Sequence, residues 1–284
     1  MTNPVCCPIC GSASSLVSSV PTINPDADDQ VDLMECSRCD HWFNPFFSTQ
    51  DDLSKLYEES SPYVVGSDFR CDRSRMDNEE NPFHRYIRGC GSNFVLKRNA
   101  AYLEIGVGSG ELFRKFRELG YVCYGVDPGH RIEDENVYAS LAGIPANLTF
   151  DVFVLKDVLE HVLDPVDMMK TIRRVAKNDA VVYCSFPCKD SRPARLNRHK
   201  WPMIRPYGHL HYFSFRSAGA LFEKSGWSVK NQKLASTYPL LKICRRLDIR
   251  QLAYEMLKGG RDQLYVMAVP GRMGPVTDSD YRGR

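Results

Sequence analysis

The chain of 284 residues lacks any apolar run approaching the ~18 residues that cross a bilayer, which excludes a membrane-spanning helix within it. Its first eight residues lack a basic stretch followed by an apolar one, so no secretory leader is expected and a cytoplasmic, reducing compartment is. It also lacks a dominant charge. The 37 Lys and Arg against 35 Asp and Glu leave +2, which argues against wholesale nucleic-acid binding but leaves room for a local basic patch. Internal repeats and low-complexity tracts are absent. What is present is an ordinary globular composition, 43% hydrophobic and 25% charged, in a length that suits one large domain plus a small appendage.

Four stretches follow from the pattern. Residues 1–48 are rich in cysteine and turn residues and too few to fold on an apolar core alone. Residues 49–99 are polar with scattered aromatics and read as a helical linker or lid. Residues 100–270 alternate compact apolar runs (101–105, 122–126, 152–155 and 181–186) with amphipathic ones such as Leu112, Phe113, Phe116 and Leu119. That alternation predicts an α/β fold, a parallel sheet with helices on both faces. Further on, a helix near 217–225, a strand near 227–234, a helical stretch at 240–257 and a last strand at 263–269 are expected, then a flexible tail at 271–284.

The string YLEIGVGSGELF at 102–113 runs a strand into Gly106, Gly108 and Gly110 and leaves as an amphipathic helix. Glycines at such a junction let backbone approach a ligand closely. Asp127 ends the next strand, 21 residues after Gly106, where a carboxylate can hold both hydroxyls of a ribose. A nicotinamide dinucleotide is the competing ligand. Glu111 stands where G-x-G-x-x-G needs its last glycine, and Glu104 would repel a pyrophosphate at the helix N-terminus. Glu104 suits a ligand bearing an ammonium and a sulfonium, as S-adenosylmethionine does.

E-x-G-x-G-x-G followed by a strand ending in Asp resembles the first two motifs of class I S-adenosylmethionine-dependent methyltransferases. FDVFVLKDVLEHVLDP at 150–165 resembles their fourth strand and turn, and HLHYFSFRSAGALFEKSGWSV at 209–229 the segment after the fifth strand in the methyltransferase 23 type. The resemblance spans about residues 100–229. It implies a Rossmann-like, seven-stranded, mostly parallel sheet. It assigns Glu104, Gly106, Gly108 and Gly110 to the methionine end of the cofactor and Asp127 to the ribose. Lys156 and Asp157 would lie beside the methyl group. The family's Asp-containing adenine signature has no match, and residues 136–147 offer Ala139, Ser140 and Leu141 instead.

Most of the eleven cysteines are scattered, and Cys123 and Cys184 lie in apolar runs where a free thiol acts as a small hydrophobe. Cys7 and Cys10 (CPIC) and Cys36 and Cys39 (CSRC) form two C-x-x-C pairs separated by 25 residues. Such pairs supply four thiolates for a tetrahedral zinc, a closed and therefore structural site, and in a cytosolic chain disulfides are the weaker reading. Cys6 and His41 lie close enough to compete as ligands. With WFNPFFSTQDDLSKLYEESSPY after it, the ribbon resembles those of zinc-ribbon methyltransferases found with bacterial surface-sugar and secondary-metabolite pathways. Asp40 replaces the glycine usual after the second knuckle.

Methyl transfer asks a protein mainly to align the acceptor with the sulfonium and exclude water. A hydroxyl acceptor also needs a base, and His161, His209 and His211 are candidates, each set against a purely structural role. Glu160 with His161 offers two ligands to a divalent cation, too few to specify a site. Residues 187–216 hold Lys189, Arg192, Arg195, Arg198, Lys200, Arg205 and Arg216 against Asp190 alone, with Trp201, Tyr207, Tyr212 and Phe213 among them. This loop is either solvated or a seat for an anionic, stackable substrate, with Arg195, Arg198, Trp201 and Tyr207 as its contacts. The expected function is methylation at O or N of a small anionic metabolite or nucleotide-linked sugar. Ribosomal RNA methylation and a non-catalytic scaffold are the alternatives. The N-P-P-[YFW] string of adenine-N6 enzymes and a catalytic cysteine motif are both missing.

Overall fold

The structure, a computed structural model, describes residues 5–21, 30–45, 86–87, 99–129, 132–205, 208–235 and 262–271. Its larger sheet is built from the apolar runs. β4 (Ala101–Ile105), β5 (Val122–Val126), β6 (Val137–Tyr138), β7 (Phe150–Lys156), β8 (Ala176–Pro187), β10 (Trp227–Ala235) and β11 (Gln263–Pro270) lie in the order β10-β11-β8-β7-β4-β5-β6. β11 runs antiparallel to both its neighbours, and the other pairings are parallel.

β7 shows why such strands carry unbroken apolar runs. Phe153 and Leu155 pack on one face and Val152 and Val154 on the other, all essentially inaccessible. Truncating Phe153 to alanine would cost about 3–5 kcal/mol in lost contact and cavity.

Helices cover both faces because each carries one apolar stripe. α1 (Glu111–Glu118) buries Leu112, Phe113 and Phe116, and Phe116 stacks on Tyr102 at 4.4 Å between ring centroids. α2 (Pro165–Arg174) starts where the Asp164 carboxylate accepts the Asp167 amide, and it buries Val166, Met169 and Ile172 on the opposite face. α3 (Arg192–Asn197) is short. α4 (Phe215–Lys224) begins two residues earlier than its apolar period suggests, because Ser214 and Ser217 form a reciprocal cap.

The strand expected at 227–234 extends to Ala235 and that at 263–269 to Pro270. The helix expected at 240–257 lies outside the described residues. So does nearly all of the 49–99 stretch, of which Tyr86 and Ile87 are helical and buried, the Tyr86 hydroxyl donating to Asn231 Oδ1 at 3.1 Å.

A second sheet arises from the N-terminal stretch, with β1 (Ser14–Pro21), β2 (Gln30–Cys36) and β3 (Trp42–Phe43) antiparallel. Its fourth strand, β9 (His211–Tyr212), comes from the far side of the chain and pairs with β3. The apolar residues Ile9, Met34 and Phe43 join the core formed under α2 and α4. A segment too small for its own core thus completes one by docking. The link is also polar: Lys189 donates to Glu35 at 3.0 Å and to Asp40, and lies 4.7 Å from the centroid of the Trp42 ring. Among the described residues no helix is long and apolar enough to cross a membrane.

Candidate active site and metal centre

β4 is flanked by β5 on one side and β7 on the other, so the chain reverses its direction of strand addition here. The crevice beyond the carboxyl ends of strands at such a point is where open α/β sheets hold ligands. Gly106 leaves β4 with φ 76°, and its amide donates to Val126 O at 2.7 Å. A Cβ there would meet Val158 Cγ2 at 2.6 Å. At Gly108, φ 55°, a Cβ would meet nothing within 4 Å, so space lies open above the loop.

Asp127 ties this loop down. Its Oδ2 accepts the Gly108 amide at 2.6 Å and its Oδ1 the Gly129 amide at 2.8 Å. Each oxygen retains a further lone pair, so the buried carboxylate can serve the loop and two ligand hydroxyls at once. α1 starts at Gly110 with no side-chain cap. The spacing of Gly106 and Asp127 was readable in the sequence, whereas their direct coupling through Gly108 was not.

Glu104 faces the interior next to the loop, 3% exposed, and Oε2 accepts the Tyr102 hydroxyl at 3.0 Å. Burial pushes its carboxyl up to about 8, against the opposing pull of the Tyr102 hydrogen bond and the Lys156 charge. Lys156, at the end of β7, donates to Asp157 Oδ2 at 3.1 Å, and that carboxylate raises the ammonium above its ordinary range. Asp157 has a left-handed backbone, φ 55°, and its Oδ1 is buried with no hydrogen-bond partner. Strain and an orphaned polar atom at one residue are costs that functional sites carry.

The turn after β7, a 3-10 segment Leu159–His161, holds Glu160 and His161. His161 Nδ1 donates to Gly208 O at 2.6 Å and His209 Nδ1 to Met203 O at 2.8 Å, with the rings edge to face 4.8 Å apart. Two of the three candidate bases therefore meet. The third, His211, points toward the ribbon: its Nε2 donates to Val162 O at 2.8 Å and its Nδ1 lies 3.1 Å from His41 Nε2. Burial lowers all four imidazoles, His211 to about 4, so they stand neutral at pH 7.

The four knuckle cysteines converge. Cys7 Sγ lies 3.6 Å from Cys39 Sγ, and Cys10 Sγ 3.4 Å from Cys36 Sγ, with all four sulfurs within 4.8 Å of one another. A disulfide would need about 2.05 Å, whereas a tetrahedron with Zn–S of about 2.3 Å has sulfur–sulfur edges of about 3.8 Å. The amides of Arg38 and Cys39 approach Cys36 Sγ at 3.4 Å each, as suits a thiolate. The donor set fits zinc. The knuckles match each other: the Gly11 amide returns to Cys7 O and the Asp40 amide to Cys36 O. Gly11 and Asp40 both adopt positive φ, 79° and 62°. Asp40 occupies a glycine-like conformation and turns its carboxylate to Lys189. His41 is buried beside His211, and Cys6 is exposed.

The cationic stretch divides. Lys189 is taken up by ribbon docking and Trp201 is buried against Leu33, Ala194 and Tyr212. Arg195, with a side chain 71% exposed and 4.0 Å from Asp190, and Arg198, exposed with φ 50°, reach solvent beyond β8. Tyr207 lies outside the described residues.

A family described as a methyltransferase domain (methyltransferase 23) matches residues 79–232. No curated protein matches the chain. Among solved structures, the Burkholderia thailandensis 1,6-didemethyltoxoflavin-N1-methyltransferase, with bound 1,6-didemethyltoxoflavin and S-adenosylhomocysteine, shares the fold at TM-score 0.54 and 14% identity. That likeness covers 89% of this chain and 99% of that one. A chain from the Haloferax volcanii complex of the Trm112 methyltransferase activator matches at TM-score 0.54 and 13% identity, over 79% of this chain and 100% of that chain.

Proposed function

Because the chain belongs to the methyltransferase-domain family and is an S-adenosylmethionine-dependent methyltransferase, we propose that its acceptor is an oxygen or nitrogen of a small anionic metabolite or nucleotide-linked sugar. In this reading residues 100–270 form the catalytic domain, with residues 1–48 as the ribbon, 49–99 as linker or lid and 271–284 as tail. Glu104 faces the cofactor ammonium, Gly106, Gly108 and Gly110 let the methionine end approach backbone, Asp127 holds the ribose, and Lys156 and Asp157 flank the methyl group. Cys7, Cys10, Cys36 and Cys39 hold a structural zinc. Of the three candidate bases, His161 and His209 supply neutral imidazole near the acceptor, while His211 is engaged by Val162 and His41 and serves the ribbon contact. When bound, the cofactor brings an already activated methyl group, so the protein's work is alignment, dehydration and proton removal.

One observation carries the anionic acceptor: two arginines, Arg195 and Arg198, stand exposed just beyond the carboxyl end of β8. Guanidinium pairs with phosphate or carboxylate contribute ~1.5–3 kcal/mol each. Arg195→Ala and Arg198→Ala should raise KM for the acceptor about 10- to 100-fold and leave S-adenosylhomocysteine affinity unchanged. Steady-state kinetics at two ionic strengths tests this on a panel of nucleotide sugars and phosphorylated metabolites. No effect would mean a solvated loop. Many small losses with a steep salt slope would mean RNA, a reading that Lys189 weakens because it is already paired to the ribbon.

A further inference from the structure

We propose that Glu160, His161 and His209 form a second metal centre, distinct from the four cysteines, that binds a first-row divalent cation such as Mn2+, Fe2+ or Zn2+. One donor atom from each of the three lies within 4.8 Å of the others. Glu160 is 1% exposed and His209 5%, and Glu160 Oε1 is 3.9 Å from His161 Nε2.

Three features make this a built site. The first is orientation. A backbone carbonyl can only accept, so the bonds to Gly208 O and Met203 O place the proton of each neutral imidazole on Nδ1. Each Nε2 then carries the lone pair, which is how metal-binding histidines are held by their surroundings. The second is the orphaned oxygen: Glu160 Oε2 is buried with no hydrogen-bond partner. A cation resolves it directly. The third is Asp157, three residues earlier, whose Oδ1 is also buried and unpartnered.

Two imidazoles and a carboxylate select borderline first-row ions over Mg2+ and Ca2+, and three protein ligands leave positions open. At the turn that follows β7, those positions can hold an acceptor oxygen and lower its pKa. His161 and His209 would then serve as ligands and not as free bases. This use rests on the methyltransferase reading, whereas cation binding itself does not.

The test is Mn2+ titration of the full chain, zinc in its ribbon, followed by electron paramagnetic resonance. Mn2+ disfavours thiolates and so does not compete for the cysteines. The expected result is one bound Mn2+ per chain. Glu160→Gln, nearly isosteric, and His209→Gln should each weaken it by at least about tenfold, with ribbon zinc content and thermal unfolding certifying the fold. Wild type that binds no Mn2+, or variants that bind it as tightly as wild type, would overturn the proposal. S-adenosylhomocysteine binding, measured separately, reports on the cofactor site alone, so failure of one is not mistaken for failure of the other.

Discussion

If the buried Glu104 carboxyl receives the cofactor's ammonium, cofactor binding must move a proton. Burial raises this group from 4.5 to about 8, so at pH 7 about nine-tenths of cofactor-free molecules carry the proton. An ammonium placed opposite favours the carboxylate, and binding then releases up to ~0.9 proton. The sign follows in both directions. The folded, cofactor-free protein holds this proton more tightly than the unfolded chain, so its stability falls as pH rises from about 4.5 to about 8, by at most ~1.4 kcal/mol per pH unit. Cofactor affinity rises over the same window and levels above it. Calorimetry with S-adenosylhomocysteine at pH 7, in buffers of different ionisation enthalpy, reads the released proton from the slope. Glu104→Gln cannot ionise, so it should flatten that slope and lose about 10- to 100-fold in affinity through a missing charged hydrogen bond. A buffer-independent enthalpy in wild type would refute the reasoning, since Glu104 would then not change protonation when the cofactor arrives.

Asp127→Asn should bind S-adenosylhomocysteine ~10- to 100-fold more weakly, nearly as weakly as Asp127→Ala. Gly108 and Gly129 both donate to this carboxylate, so either orientation of the amide sets an NH2 against an N–H; affinity within twofold of wild type would remove Asp127 from the ribose site. The purified chain should carry one tightly held zinc that Cys7→Ser or Cys36→Ser releases, detected by elemental analysis. These variants should loosen residues 1–48 to proteolysis and leave cofactor affinity nearly unchanged, and a metal-free protein with a disulfide between the knuckles would sink the zinc assignment.

What could be read from the sequence was whatever neighbouring residues settle among themselves. The central strands of the large sheet, β4, β7, β8 and β11, announce themselves as apolar runs because both faces are covered, whereas the two-residue edge strand β6 carries no such run. The glycines between β4 and α1 report a backbone that must turn left-handed. The two C-x-x-C pairs were legible as four thiols at metal-ligand spacing, and the structure brings their sulfurs within 4.8 Å of one another. Contacts made over long separations were hidden. Lys189 belongs by composition to a basic stretch that invites a substrate anion, yet it pairs with Glu35 and Asp40, about 150 residues away in the chain. Trp201 looked like a stacking surface and is buried between α3 and β9. His209 gave no sign of joining Glu160 and His161, because the encounter depends on where the chain after α3 returns.

That return is made by the ribbon. Phe43 pairs with His211, and Trp42 with Tyr212. Phe43 and His211 flank His41, which stacks on both rings. His211 in turn holds Val162 O, one residue past His161, while the Leu210 amide holds Glu160 O at 2.7 Å. The β3–β9 pairing therefore sets the height at which residues 209–211 run past the Glu160–His161 turn. None of these contacts involves the glycine loop or Asp127. The N-terminal four-cysteine segment, distant in sequence from the glycine loop and Asp127, is thus joined through the backbone to the Glu160–His161 turn. If that turn borders the acceptor, as proposed above, the connection gives the cysteine site a physical reason to be attached to a methyltransferase.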